Sequence, residues 1–252
     1  MKIHLSTILF TLRLVLAAEE IVGGSQARIE DYPYQVSLHN NDTFLCGGSI
    51  ISTEHILTAA HCVTPYLGRP LSVRVGSSEY ESGGELIDVA KATPHLEFDT
   101  STLQNDIAIL RLAKNLEFGP KVLPVELPCS CDGDPATGTK CSVSGWGATT
   151  ADGDVVPHLR AAFVPITDHK ECAENLAASG HDHVTDLMIC AGEVAGGRDS
   201  CSGDSGGPLV DVSSKKQVGV VSWGFGCGRP GFEGVYTSTA AYEAWILENS
   251  LL

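Results

Sequence analysis

The sequence predicts an all-β fold, and three observations carry that prediction. Short β-type runs recur at 35–39, 48–52, 55–58, 71–75, 86–92, 107–112, 140–145, 162–166, 208–212 and 217–222, several of them rich in Val, Ile and Thr. Such side chains are stiff at χ1 and pack well on a pleated, half-buried surface. Gly and Pro, 27 and 12 in number, punctuate the gaps, the spacing expected of a sandwich or barrel. Strand and helix units do not alternate along the chain, which argues against a parallel α/β sheet. Helical patterning is confined to 167–176, with acidic residues near its start, and 240–251. In the latter, Tyr242, Trp245 and Ile246 share one side, so a terminal amphipathic helix is expected to pack on the second half of the fold. There is no internal repeat and no low-complexity tract.

The 252 residues carry 31 acidic and 16 basic side chains, a formal net charge of −15. Phosphate backbones would be repelled, so no nucleic-acid partner is expected, whereas cationic ligands are attracted at low salt. Residues 1–18 read as a secretory signal peptide: Lys2, a mostly apolar stretch broken by Arg13, then Ala17 and Ala18. The stretch is too short and broken to span a bilayer, and no later run reaches about 18 apolar residues. A secreted protein with no membrane association is expected. Nine cysteines suit an oxidising compartment. Asn41-Asp42-Thr43 is a candidate glycosylation acceptor in a polar loop.

Four motifs carry chemistry. Thr58-Ala59-Ala60-His61-Cys62 contains a histidine, N-D-I-A-I-L from Asn105 contains Asp106, and D-S-C-S-G-D-S-G-G-P from Asp199 contains Ser205. The fourth is Ile21-Val22-Gly23-Gly24. Taken singly, His61 reads as a core histidine, Asp106 as a turn cap and Ser205 as a surface serine. Taken together they give the order His, Asp, Ser, one of the established orders of a catalytic triad. A serine hydroxyl attacks an amide only when a base removes its proton, and histidine titrates near working pH. The G-D-S-G-G segment also fits the nucleophile motif of α/β-hydrolases, but there histidine comes last in the chain.

From Ile21 onward the motifs resemble the chymotrypsin family of serine proteases, in its trypsin-like branch. The resemblance implies two packed six-stranded Greek-key barrels with a C-terminal helix, in a protease domain 21–252 divided near 121–139. It implies Ser205 as nucleophile, His61 as general base and Asp106 as the orienting carboxylate, in the family on which this mechanism is usually explained. Backbone N–H groups of Gly203 and Ser205 would form the oxyanion hole, and Ser222-Trp223-Gly224 would pair with substrate. Asp199 would lie at the base of the primary pocket, with Ser200 beside it and Gly224 and Gly234 in its walls. Cleavage after Arg or Lys follows. Glu233 stands where the family usually has proline or an aromatic residue, and is expected to face solvent.

The resemblance also implies that a free Ile21 amine pairs with buried Asp204 after a precursor is cut. Glu20 precedes that junction, so a trypsin-type activator should not cut there. Residues 19–20 form an acidic dipeptide like that of granule-stored proteases; an unusual activator is the alternative. Cys46–Cys62, Cys172–Cys190 and Cys201–Cys227 match three family bridges. Cys129, Cys131 and Cys141 lack their family partners, with Asp211 and Ala240 in the matching places, while Ala27 and Ala161 replace a further pair. Cys141 is expected to bridge to Cys129 or Cys131. The cysteine left over would be a free thiol in a monomer or the link of a disulfide-bonded dimer. The family's calcium loop falls at 77–85 (S-S-E-Y-E-S-G-G-E), is shortened, and reads as a solvated acidic loop. No metal and no cofactor are expected. The expected function is a secreted serine endopeptidase acting on proteins or peptides containing Arg or Lys, with protein protease inhibitors as further partners. The alternative is a catalytically silent homologue acting as a binding or inhibitor protein.

Overall fold

The structure, a computed structural model, describes residues 23–250. The expected signal peptide, the Glu19-Glu20 dipeptide and Ile21 lie outside the described residues. Thirteen strands follow in order: β1 Ser25–Gln26, β2 Gln35–Asn40, β3 Thr43–Ile50, β4 His55–Thr58, β5 Ser72–Val75, β6 Glu85–Pro94, β7 Ala108–Leu112, β8 Lys140–Gly145, β9 Arg160–Pro165, β10 Met188–Ala191, β11 Pro208–Asp211, β12 Gln217–Trp223 and β13 Gly234–Ser238. The helices are α1 Ala60–Val63, α2 His169–Ala178 and α3 Glu243–Ser250.

Strands β2 to β7 close an antiparallel barrel in the order β2-β3-β4-β7-β6-β5. Its first hairpin turns on Asn41 and Asp42, at φ 46° and 65°. Two successive left-handed residues make the type I′ geometry that matches strand twist, and Asn and Asp tolerate it best after glycine. Val36, Leu38, Ile50, Ile56, Leu57, Val73 and Leu110 fill the barrel core, each worth roughly 1.5–3 kcal/mol of transfer free energy.

The second half departs from the expected six-stranded barrel. It is an open seven-stranded sheet, ordered β1-β9-β8-β11-β12-β13-β10. Strand β9 pairs with β8 along one side and with the two-residue β1 on the other, the side a closing strand would need. Pro165, with no N–H to donate, ends β9. The sheet still curls until its far edge meets the chain just past β9, where Thr167 N–H donates to Cys190 O and Gly192 N–H to Pro165 O, both at 3.0 Å. Across the seam between barrel and sheet, Gly47 N–H donates to Ser205 O at 2.8 Å and Ser49 Oγ to Gln217 Oε1 at 2.6 Å.

Helix α3 also departs from expectation. It packs on the first barrel, with Tyr242 and Ile246 joining the barrel core. Tyr242 Oη donates to Asn105 Oδ1 at 2.7 Å, fixing the helix beside β7.

The three family bridges are present, and a fourth joins Cys129 to Cys131. The odd cysteine is Cys141, not Cys129 or Cys131, which removes the leftover thiol assigned to the exposed connection and the dimer link with it. Cys141 lies fully buried in the core of the second sheet, directly across from Asp211 on β11, so nothing in reach can bridge it. Burial pushes its thiol up to about 12, with Asp211 adding to the effect. Native protein should therefore resist thiol reagents, and denatured, unreduced protein should expose one thiol per chain, mapping to Cys141. A reactive native thiol, or labelling at Cys129, contradicts this pairing.

Candidate active site

The site is built where short connections from both halves meet. Helix α1 is one turn that follows β4, and Cys46–Cys62 ties it to β3. That turn sets His61 beside Asp106, which precedes β7 and is fully buried. The His61 backbone N–H donates to Asp106 Oδ1 at 2.9 Å, and Nδ1 lies 2.7 Å from Oδ2. Ser222 Oγ donates to the same Oδ2 at 2.5 Å, and Thr237 Oγ1 to the Asp106 carbonyl at 2.9 Å. Thr237 was not among the sequence candidates. A buried carboxylate survives by accepting such bonds. With Nδ1 donating, neutral His61 carries its free lone pair on Nε2.

Ser205 arrives on the loop before β11. Gly206, at φ 77°, lies so close to β4 that an added Cβ would fall 2.2 Å from Thr58 Oγ1, three residues before His61. Glycine is the residue that permits that approach. Among the described residues no hydrogen bond joins Ser205 to His61. Such contacts are commonly long without substrate and tighten when it binds. Gly203 sits at φ 99° in the same loop.

A pocket of about 130 Å³ is lined by Ser205 and by Asp199, Ser200, Ser222, Trp223, Gly224 and Gly234. Asp199 is buried; its Oδ2 accepts from Gly228 N–H at 2.9 Å, and its Oδ1 has no partner. A Cβ at Gly234 would fall 2.7 Å from that free oxygen. Burial pushes the Asp199 carboxyl up to about 7, with Asp204 adding to the effect and backbone donors opposing it. Tyr236 Oη, unforeseen in the sequence, donates to Ser200 Oγ at 3.2 Å, and Cys201–Cys227 joins two pocket walls. A larger cavity of about 680 Å³, beside Gly23–Ala27 and Arg198, contains none of the triad candidates.

Asp204 is fully buried. Gly147 N–H donates to its Oδ1 at 2.8 Å and Cys201 N–H to its Oδ2 at 3.0 Å. A Cβ at 147 would come within 2.4 Å of this carboxylate, so Ser-Gly-Trp-Gly at 144–147 was a legible signal that sequence reasoning passed over. Burial pushes the Asp204 carboxyl up to about 6. No cation among the described residues pairs with it.

One peripheral expectation needs revision. Glu233 does not face solvent: it is 4 % exposed, packs against Gly192 and has a buried Oε2 without a partner. It lines a separate cavity with Thr167, Asp168 and Glu171, and is absent from the Asp199 pocket. The 77–85 loop is organised by an internal cation. Arg74 donates through Nε to Tyr80 O at 2.9 Å and through Nη1 to Gly83 O at 2.7 Å, while Ser77 Oγ donates to Ser82 O at 2.6 Å.

The fold and the site together are those of a serine endopeptidase. The family model described as Trypsin matches residues 21–246, and the chain belongs to that family of hydrolases. It is 43 % identical over 231 residues to Trypsin 5G1 of Aedes aegypti, covering 91 % of this chain and 85 % of the relative. It is 39 % identical to Trypsin beta and 40 % identical to Trypsin delta of Drosophila erecta, each over 91 % of this chain and 88 % of the relative.

The raised Asp199 carboxyl has a consequence for stability. An unfolded aspartate titrates near about 3.9, whereas folded Asp199 holds its proton to about 7. Between those values the folded state binds more protons, so this group's contribution to stability falls as pH rises and the deficit is complete above 7. In a Ser205→Ala background, which prevents self-cleavage, Asp199→Asn should raise the melting temperature more at pH 8 than at pH 4. An equal effect at both pH values contradicts the assignment.

Proposed function

We propose that this trypsin-family enzyme is a secreted endopeptidase that cleaves after Arg or Lys and is made as a precursor activated at Ile21. The observation that carries the specificity is the buried, unpartnered Oδ1 of Asp199 in a pocket whose lining also includes Ser205. A buried carboxylate without a cation is costly, and a guanidinium or ammonium group entering the pocket removes that cost. The names of the similar trypsins support the same reading.

With the basic side chain seated, the following carbonyl lies at Ser205. His61 Nε2 takes the Ser205 proton as Oγ attacks the carbonyl carbon. Backbone N–H groups of Gly203 and Ser205 receive the developing oxyanion. Protonated His61 then passes its proton to the leaving amine, and water repeats the sequence on the acyl-enzyme with the roles of acid and base reversed. Asp106 holds His61 in the required tautomer and stabilises its charged form.

The activation reading rests on Asp204. Its buried carboxylate has two backbone donors and no cation among the described residues. The Ile21 amine supplies one once the preceding peptide bond is cut. Breaking a buried ion pair costs about 3–5 kcal/mol, enough for a switch between inactive and active forms. Four disulfides fit an oxidising compartment. Asn41 is exposed at a hairpin tip, where a glycan fits. No helix among the described residues is long and apolar enough to cross a membrane.

A fluorogenic peptide panel on protein beginning at Ile21 tests this reading. Arg and Lys substrates should exceed Phe and Leu substrates by orders of magnitude in kcat/KM. Asp199→Ser should abolish that preference, yet leave Ser205 reactive toward an organophosphate. Preference for aromatic residues would refute the pocket assignment, and absence of both cleavage and labelling would favour a silent homologue.

A further inference from the structure

Three neighbouring strands of the first barrel place basic side chains in one row. The register sets His55 on β4 opposite Arg111 on β7, and Arg111 opposite Lys91 on β6. Residues directly opposite on antiparallel strands have Cβ atoms roughly 4.5–5.5 Å apart, and like charges there repel. Several other surface cations are answered by a carboxylate, Arg28 by Asp31, Lys114 by Glu85, Lys121 by Glu30, Arg198 by Glu193 and Lys216 by Asp132, whereas the isolated Arg69 and Lys215 have none among the described residues. Among the described residues Lys91 and Arg111 have no such partner. An unneutralised cationic row is unexpected in a chain whose net charge is −15.

The row borders a cavity. About 270 Å³ of space is enclosed by His55, Lys91, Thr93, Ile109, Arg111 and Asn249. Asn249 comes from α3, where its Nδ2 donates to Trp245 O at 2.8 Å. His55 is held by its own contact, with Nδ1 3.1 Å from Ser52 Oγ. The lining therefore combines an ammonium, a guanidinium, a hydroxyl, an amide and an imidazole over one apolar side chain. No carboxylate lines it, although Glu54 and Glu248 adjoin two of its residues in sequence.

We propose that this cavity binds a single phosphate or sulfate group. Guanidinium and ammonium groups are the preferred partners of tetrahedral oxyanions, the former through paired N–H bonds. The volume suits one such group with a few waters. A bound dianion would remove the repulsion between Lys91 and Arg111 and bridge the barrel to α3, so binding stabilises the fold by linkage. The group would be carried either as the free ion or as a sulfate ester on a saccharide. The site shares no residue with the Asp199 pocket and does not depend on the peptidase reading.

The test uses the Ser205→Ala protein beginning at Ile21, at constant ionic strength made up with chloride. Inorganic phosphate is titrated by ³¹P NMR line broadening, and inorganic sulfate and a sulfated disaccharide by competition against it. Saturable binding is expected, together with a rise in melting temperature at saturation. The double change Lys91→Ala, Arg111→Ala should weaken binding at least tenfold. Lys91→Glu, which places a carboxylate opposite Arg111, should raise the melting temperature in chloride and abolish the phosphate-dependent gain. Disaccharide binding at least tenfold tighter than sulfate identifies the ester as ligand; equal binding identifies the free ion. Absence of saturable phosphate binding, or equal affinity in the double variant, overturns the proposal. The second outcome would assign any stabilisation to the general exclusion effect of these salts.

Discussion

Three aspartates are buried around the site, and the site depends on how each one's charge is answered. Asp106 has His61 and Ser222. Asp199 and Asp204 have chiefly backbone N–H groups, which leave their carboxyls at about 7 and about 6. Isolated buried carboxylates are expensive, and these two also repel one another. The local fold is thus arranged around negative charge that is incompletely compensated within the described residues. One carboxylate lines the cleft beside Ser205 and the other is wholly enclosed. That division suits one cation brought by substrate and one brought by the chain itself.

The same constraint accounts for much of the local sequence. Gly147 and Gly234 stand where a Cβ would collide with Asp204 or Asp199 oxygen, and Gly206 where it would collide with β4. Cys201–Cys227 holds two walls of the pocket, and Cys46–Cys62 holds the turn that bears His61. These features resist the loosening that uncompensated charge favours, because the loops they join carry few residues in regular ladders of their own.

Much of this was legible in the sequence. The short β-type runs located the neighbourhoods of ten of the thirteen strands closely enough to define the class, and ordered motifs singled out His61, Asp106 and Ser205. Strands β1, β10 and β13 were missed because β1 has only two residues, Met-Ile-Cys-Ala is short and unpatterned, and β13 opens on glycine. Barrel closure was misjudged because edge pairing is a long-range property that no local pattern encodes; the two-residue β1 decided it. An amphipathic face shows that a helix docks but not on what, so α3 was assigned to the wrong half. Glu233 was placed in solvent on charge alone. Cys141 was the most recoverable error, since it shares a strand face with Val143 and was therefore directed inward, away from the exposed Cys129–Cys131 turn.

The claim that an internal cation completes the site at Asp204 is open to direct measurement. Protein carrying ¹³Cγ-labelled aspartate would be prepared in two forms, one beginning at Ile21 and one at Glu19, and the Asp204 and Asp199 carboxyls titrated by NMR. The account predicts that Asp204 ionises well below 6 in the form beginning at Ile21 and near about 6 in the form beginning at Glu19. Asp199 should titrate near about 7 when ligand-free and fall when a small guanidinium compound is added. Identical Asp204 titrations in the two forms would contradict the account, because the N-terminal amine would then have no charge to answer.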